Sequence, residues 1–368
     1  MKLKKQTYLL LGILIIGLIA YSLIPNFERE EFNPEVIENI SSGNITTTTS
    51  ELSVEENDTK PTDPMDNEEI FETSIYDSLL INNNTRRIDE LFTSYLIIGS
   101  DERSANSSES RGTVDGSRAD VILLITIDAE SKVTLISLPR DLLIEDPCTK
   151  NIQRINSSFR GNGCGSDAEN LSAVILNLTG LKINHFVKFS FEGFEKIIDS
   201  IGGVEICVTE TQREGYSFEI QKGCNVLNGE IALNWIVSRN TEILDGEKLI
   251  DENGEDVSSW KPMPGVSDLT RIKKQQQLIL SMMQSINEFN SFNDFLNFVN
   301  ALENAFTIDQ NISIIEASSL LWDFREMDFD KVKKLTVPTY NYTTENGAQV
   351  LILDENFYDF ILSEGLID

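Results

Sequence analysis

Asp101, Arg118, Asp120, Arg140 and Asp141 fall within the segment from Tyr95 to Asp141, each at the end of an apolar run rich in β-branched residues and leucine. A sheet built from those runs brings such ends to one edge. Carboxylates are the usual ligands of a hard divalent cation, and guanidiniums grip phosphate oxygens in a two-pronged fork. The chemistry they point to together is the binding of a metal-bound pyrophosphate. Taken singly, each aspartate reads as a solvated strand end and each arginine as a surface ion-pair partner. Their convergence is what favours a site.

The elements that must position them follow from periodicity and turn signals. Tyr95–Ile98, Val121–Asp128 and Val133–Leu138 read as strands, the last two joined as a hairpin. Asp167 is expected to cap a helix that Gly180 stops, followed by a strand at Phe186–Phe189, a helix over FEGFEKIIDSIGG and a strand at Val204–Val208. Asn228–Ser238 reads as a further helix. A polar insertion from Asn240 to Val266 then precedes a long helix opened by Asp268, with helices continuing to about Met327 and final strands in KLTVPTY and QVLIL. On the long helix Arg271 and Gln275 stand at i and i+4, so they share one face. Strands alternating with helices, plus a hairpin, predict an α/β fold: a three-layer α/β/α sandwich around a mixed central sheet.

Residues 8–24 (YLLLGILIIGLIAYSLI) form an uncharged run after Lys2, Lys4 and Lys5. The run is just long enough to span a bilayer, and its positive flank keeps residues 1–7 in the cytoplasm. Ala20–Ser22 is a poor cleavage site, so an uncleaved signal anchor is expected. Residues 25–84, rich in Glu, Asp, Asn, Thr and Ser, read as a disordered linker. Residues 85–368 then form the extracytoplasmic domain of a single-pass protein of the cell membrane.

The formal net charge is −30, from 60 acidic and 30 basic residues, which argues against a nucleic-acid partner. Cys148, Cys164, Cys207 and Cys224 include no CxxC pair, and in an exported domain an even count predicts two disulfides. Proximity favours Cys148–Cys164 with Cys207–Cys224 among the three connectivities. His185 is the sole histidine, and with no GxSxG elbow a Ser-His-Asp triad is not expected. The glycines of GNGCGS lack P-loop spacing and read as a turn.

The blocks YLIIGSD, SRADVILLITID, KVTLISLPRD, RINSSF, GFEKIIDSIGGVEI, LNGEIALNWIVSR and DLTRIKKQQ, in this order from Tyr95 to Ser285, resemble the LytR-CpsA-Psr envelope phosphotransferases. The resemblance implies transfer of a glycan phosphate from a polyprenyl-pyrophosphate-linked glycopolymer to a peptidoglycan hydroxyl. It implies Mg²⁺, or Mn²⁺ in its place, on Asp101 and Asp120. It places Arg118, Arg140, Arg239 and Arg271 at the pyrophosphate in a catalytic role, with Arg154 and Gln275 beside them. Arg154 stands where the family usually has lysine, and Val237 where it often has a first arginine. Asp141 is expected to orient Arg140. A polyprenyl-pyrophosphate hydrolase, or a non-catalytic lipid-binding or regulatory envelope protein, are the alternative readings.

Overall fold

The computed structural model describes residues 28–43, 86–100, 118–160, 163–264, 268–287, 306–311, 331–344 and 346–367. Among these, no helix is long and apolar enough to cross a membrane; the expected anchor at 8–24 lies outside them, as do residues 25–27 and 44–84 of the expected linker. The first elements are β1 (Glu28–Glu30), α1 (Pro34–Ser41), β2 (Phe92–Ser100), β3 (Ala119–Asp128), β4 (Val133–Ser137), β5 (Leu143–Glu145) and β6 (Ile152–Arg154). After a 3₁₀ turn at Ile155–Ser158 come α2 (Asp167–Thr179), β7 (His185–Ser190), α3 (Phe191–Ser200), β8 (Val204–Val208), β9 (Gln212–Glu214), β10 (Phe218–Ile220) and β11 (Gly223–Leu227). The remainder are α4 (Gly229–Val237), β12 (Glu242–Leu244), β13 (Trp260–Pro262), α5 (Asp268–Asn287), β14 (Phe306–Asp309), β15 (Lys333–Thr336), β16 (Thr339–Thr343), β17 (Gln349–Leu353) and α6 (Phe357–Ser363). The fold is mixed α/β.

The chain forms two compact units. One, the sheet unit, comprises Glu31–Glu102, Ser108–Phe186 and Val332–Asp368; the second comprises Met1–Glu30, Arg103–Ser107 and Val187–Lys331. In the sheet unit β2, β3 and β4 are successively antiparallel, and β15 lies parallel to β4, so the sheet is mixed. Leu96, Ile98, Ile122, Leu124 and Ile136 alternate along their strands and share one face. They form a single apolar core with Ile37 and Ile40 of α1, Leu171 and Val174 of α2, and Phe357 and Ile361 of α6. Ser166 rather than Asp167 caps α2: its hydroxyl accepts from Glu169 N, and the Glu169 carboxylate accepts from Ser166 N, a reciprocal box open to serine one residue earlier. Gly180 ends α2 at φ +70°, where a Cβ would lie 2.2 Å from the Arg86 carbonyl oxygen.

The stretch 28–43 corrects the reading of 25–84 as a continuous disordered linker. Asn33 caps α1, Pro34 opens it, and Phe32, Ile37 and Ile40 are all buried. Asn33 N donates to Glu169 Oε1 at 2.7 Å, and Arg87 grips the Glu38 carboxylate with two nitrogens at 2.8 and 3.0 Å. Average composition over sixty residues hid three apolar side chains spaced to fit one core.

In the second unit, α3, α4 and α5 pack with the antiparallel pair β8 and β11 around Phe194, Ile198, Val204, Ile206, Leu233, Trp235 and Leu278. The polar insertion supplies β12 and β13, which extend β9 and β10 into a sheet ordered β10-β9-β12-β13. β14 corrects the expectation that helices continue to about Met327: Phe306–Asp309 pairs with β1 in parallel and with β7 antiparallel. Its four residues are too few for a period to declare itself. Residues 288–305 and 312–330 lie outside the described residues. Cys148 is bonded to Cys164 and Cys207 to Cys224, the pairing that proximity favours.

Candidate functional site

Three features of the sheet unit bring charged side chains to one place. First, β2 and β3 lose register at the end: Gly99 faces Val121 and Ser100 faces Ala119, so Asp120 is an extra residue in a bulge. A bulge turns a side chain away from the regular alternation. Second, Pro139 bends the chain after β4, and Leu142 N donates to Pro139 O at 3.1 Å. Asn156 N then donates to Arg140 O and Leu351 N to Asp141 O, fixing the backbone of both charged residues. Third, β6 ends in Arg154, which lies opposite Leu143 in a short hairpin.

The side chains form a chain of alternating charge. Arg140 is hydrogen-bonded and ion-paired to Asp120 through Nη1 and Oδ1. Its Nε lies 3.5 Å from Asp141 Oδ2, and Arg154 Nε lies 3.4 Å from Asp141 Oδ1. Arg154 also donates through Nη2 to Gln349 O at 2.9 Å. Both Nε atoms are buried, yet neither makes a hydrogen bond, so their contacts with Asp141 are electrostatic and leave donor capacity over. Arg118 is exposed one residue before β3. Asp101 lies outside the described residues.

Arg239, Arg271 and Gln275 belong to the second unit. Arg239 is exposed in the turn after α4; Arg271 and Gln275 are half-buried one helical turn apart on α5. Val237, where a first arginine was expected, packs against the apolar cluster of this unit. His185 stacks on Tyr95 with ring centroids 5.5 Å apart, a structural contact.

A residue passed over in the sequence is Lys274. It is 6% exposed, its ammonium donates to Trp235 O at 3.3 Å and Thr241 Oγ1 at 3.0 Å, and it lies 5.2 Å from the Trp235 ring centroid. Burial lowers it from the ordinary lysine value to about 8; the charge of Glu214 opposes the shift and that of Arg271 adds to it. Its signal was positional: Leu278 and Ser281 follow at i+4 and i+7, so a lysine occupies the inward stripe of α5.

For a divalent cation, the described donor set offers Asp120, a carboxylate of the hard-oxygen kind that Mg²⁺ takes, beside a guanidinium suited to phosphate. Phosphate oxygens and water would complete the shell, so the residues present fit such an ion. The one group of three potential ligands among the described residues, Glu205, Cys207 and Cys224, has both cysteines in a disulfide and is no rival.

A family model described as the LytR_cpsA_psr family matches residues 45–247 and 260–364. The chain is 28% identical over 165 residues to the "Probable cell wall biosynthesis protein LcpB" of Corynebacterium glutamicum, covering 43% of this chain and 39% of that protein. It is 28% identical over 151 residues to the Bacillus subtilis "Polyisoprenyl-teichoic acid--peptidoglycan teichoic acid transferase TagU", covering 40% and 44% respectively. These matches therefore span about two fifths of the length of either relative. Among solved structures, the "LytR-Csp2A-Psr enzyme from Actinomyces oris" superposes with a TM-score of 0.55 at 22% identity, covering 76% of this chain and 96% of that one. Bacillus subtilis TagV superposes with a TM-score of 0.53 at 18% identity, over 76% and 96%. At these identities the two structures speak to the fold alone.

Proposed function

Since this chain belongs to the LytR-CpsA-Psr family, we propose that it is a membrane-anchored transferase of cell-wall assembly. It would move a glycan phosphate from a polyprenyl-pyrophosphate donor to a peptidoglycan hydroxyl. The names of the relatives, cell wall biosynthesis protein and teichoic acid–peptidoglycan transferase, support a wall glycopolymer as the cargo. The three-layer sandwich with one anchor at 8–24 is part of the same reading.

The observation that carries it is the run Asp120–Arg140–Asp141–Arg154, which gathers two guanidiniums and two carboxylates at one place in the sheet unit. Guanidiniums held in place by carboxylates suit the oxygens of a pyrophosphate. In the reaction the acceptor oxygen bonds to the glycan-bearing phosphorus, the bridging P–O bond breaks, and polyprenyl phosphate leaves. The hydroxyl proton passes to solvent or to the departing phosphate. Arg118, Arg140 and Arg154 would orient the pyrophosphate and offset the charge that builds on the leaving group, and the family resemblance gives Arg239, Arg271 and Gln275 the same task. Asp101 and Asp120 would hold Mg²⁺, which when bound neutralises phosphate charge.

The test is single turnover by the full chain in detergent, with a short polyprenyl-pyrophosphate-linked glycan, Mg²⁺ and a peptidoglycan oligomer. Glycan appearing on the oligomer, lost in the Asp101→Asn, Asp120→Asn double variant, is the expected result. Free glycan phosphate would mean hydrolysis, and retained donor without release would mean a lipid-binding protein. Transfer undiminished in the double variant would sink the assignment of both aspartates.

A further inference from the structure

α4 ends without a basic residue in its last turn, although the last carbonyls of any helix need donors and a positive charge there is favourable. The donor comes from another helix. Lys274 of α5 reaches Trp235 O, one of those carbonyls, at 3.3 Å, and Thr241 Oγ1 at 3.0 Å. The two contacts bracket the turn Ser238-Arg239-Asn240-Thr241. Inside it, Ser238 Oγ and Thr241 Oγ1 lie 2.7 Å apart, and both residues are buried. Asn240 N donates to Glu214 Oε1 at 3.2 Å, and Met263 N donates to Thr241 O at 2.9 Å. Ser238, Asn240 and Thr241 are thus each tied down by a backbone or hydroxyl bond, and Arg239 is exposed at the crown of the turn.

We propose that Lys274 is a positioning residue, whose ammonium fixes the turn after α4 so that Arg239 is presented to the ligand's phosphate in one orientation. The proposal rests on the reading of Arg239 as a phosphate contact. It gains weight from Val237: with an apolar residue packed into the core where a first arginine was expected, the turn offers a single guanidinium. A ligand contact delivered by one side chain on a short turn loses affinity when that turn is free to reorient, because binding must then order it.

A burial argument alone does not explain a lysine here. A methionine of similar length would fill the same volume without the cost of a buried charge, so the ammonium is present for what it donates to. The groups whose charge bears on it are Glu214 from β9 and Arg271 from its own helix.

The experiment is a double-mutant cycle on the full chain in detergent, read as the dissociation constant for geranylgeranyl pyrophosphate with Mg²⁺ at pH 7. Arg239→Ala and Lys274→Met are each expected to weaken binding about tenfold, the scale of one charge-assisted hydrogen bond. The double variant is expected to bind no more weakly than Arg239→Ala alone, because Lys274 acts only through Arg239. Thr241→Val, which removes one of the two acceptors, should give part of the same loss and the same absence of effect on the Arg239→Ala background. Independent, multiplying losses would overturn the proposal and leave Lys274 a structural lysine; so would a Lys274→Met protein that binds like the parent. Where Lys274→Met does not fold, the Thr241→Val cycle decides by the same criterion. A silent Arg239→Ala would be a different failure, since it removes the phosphate-contact reading itself and this proposal with it.

Discussion

Asp141 stands between two guanidiniums, and its backbone carbonyl is held by Leu351 N. Asn at this position keeps the shape and removes the charge that faces both Nε atoms. Asp141→Asn is therefore expected to weaken pyrophosphate binding by about tenfold, with fold stability altered by less than about 1 kcal/mol because both arginines are partly solvated. Isothermal titration and urea unfolding check the two halves. With Asp120 holding Mg²⁺ as proposed, Asp120→Asn is expected to slow single turnover about a hundredfold, the usual scale for removing one preorganised electrostatic contact. Lys274 gives a pH signature. Its ordinary value of 10.5 falls to about 8 in the folded chain, so between these values the folded protein has lost a proton that the unfolded chain keeps. Stability from this group then rises as pH climbs through that window, and the cost of the buried charge is present below it. Urea midpoints from pH 7 to 10 should shift in favour of the parent chain over Lys274→Met. Ligand affinity should move the opposite way, since the neutral amine holds Trp235 O and Thr241 less strongly.

At the scale of elements, α1 offers the sharpest test. Phe32 is 1% exposed, and its ring lies 5.1 Å from Phe186 in the sheet unit. Phe32→Ala is expected to cost about 3–5 kcal/mol, a size reserved for core aromatics, as seen in the urea midpoint. A loss under about 1 kcal/mol would return this stretch to the linker. The Cys148–Cys164 bond closes a loop of 16 residues beside Asp146, whose carboxylate accepts from Cys148 N and from Gln153 Nε2. Replacing both cysteines by serine is expected to cost about 3 kcal/mol, measured as the shift in the urea midpoint. Strands β2, β3 and β4 were legible because long apolar runs between turn residues allow little else. The short strands β9, β10, β12 and β13 were not, because three residues carry no period and their pairing is decided by partners far along the chain.

For the whole molecule, charge and topology carry the expectations. A net charge of −30 makes the folded state repel itself, so raising salt from about 10 to 150 mM, which shortens the screening length to roughly 8 Å, should raise the melting temperature. The reading of 8–24 as an anchor predicts that the chain sediments with membranes and that protease added outside the cell digests everything beyond it. A chain recovered from the cytoplasm would overturn that orientation.

The sequence by itself determined the family and most of the chain's long elements. Ordered blocks with Asp and Arg at strand ends name a family, and strong apolar periods name strands and helices, because both are local properties of the chain. It also made Cys148–Cys164 and Cys207–Cys224 the favoured pairs by proximity. Only the tertiary structure decided that Asp120 sits in a bulge facing Arg140, that Asp141 is shared with Arg154, that Phe32, Ile37 and Ile40 join the core, and that a buried lysine donates to Thr241 in the turn of Arg239. Each of those depends on register or on contact between residues distant in sequence, and such contacts are fixed by packing rather than by any local pattern.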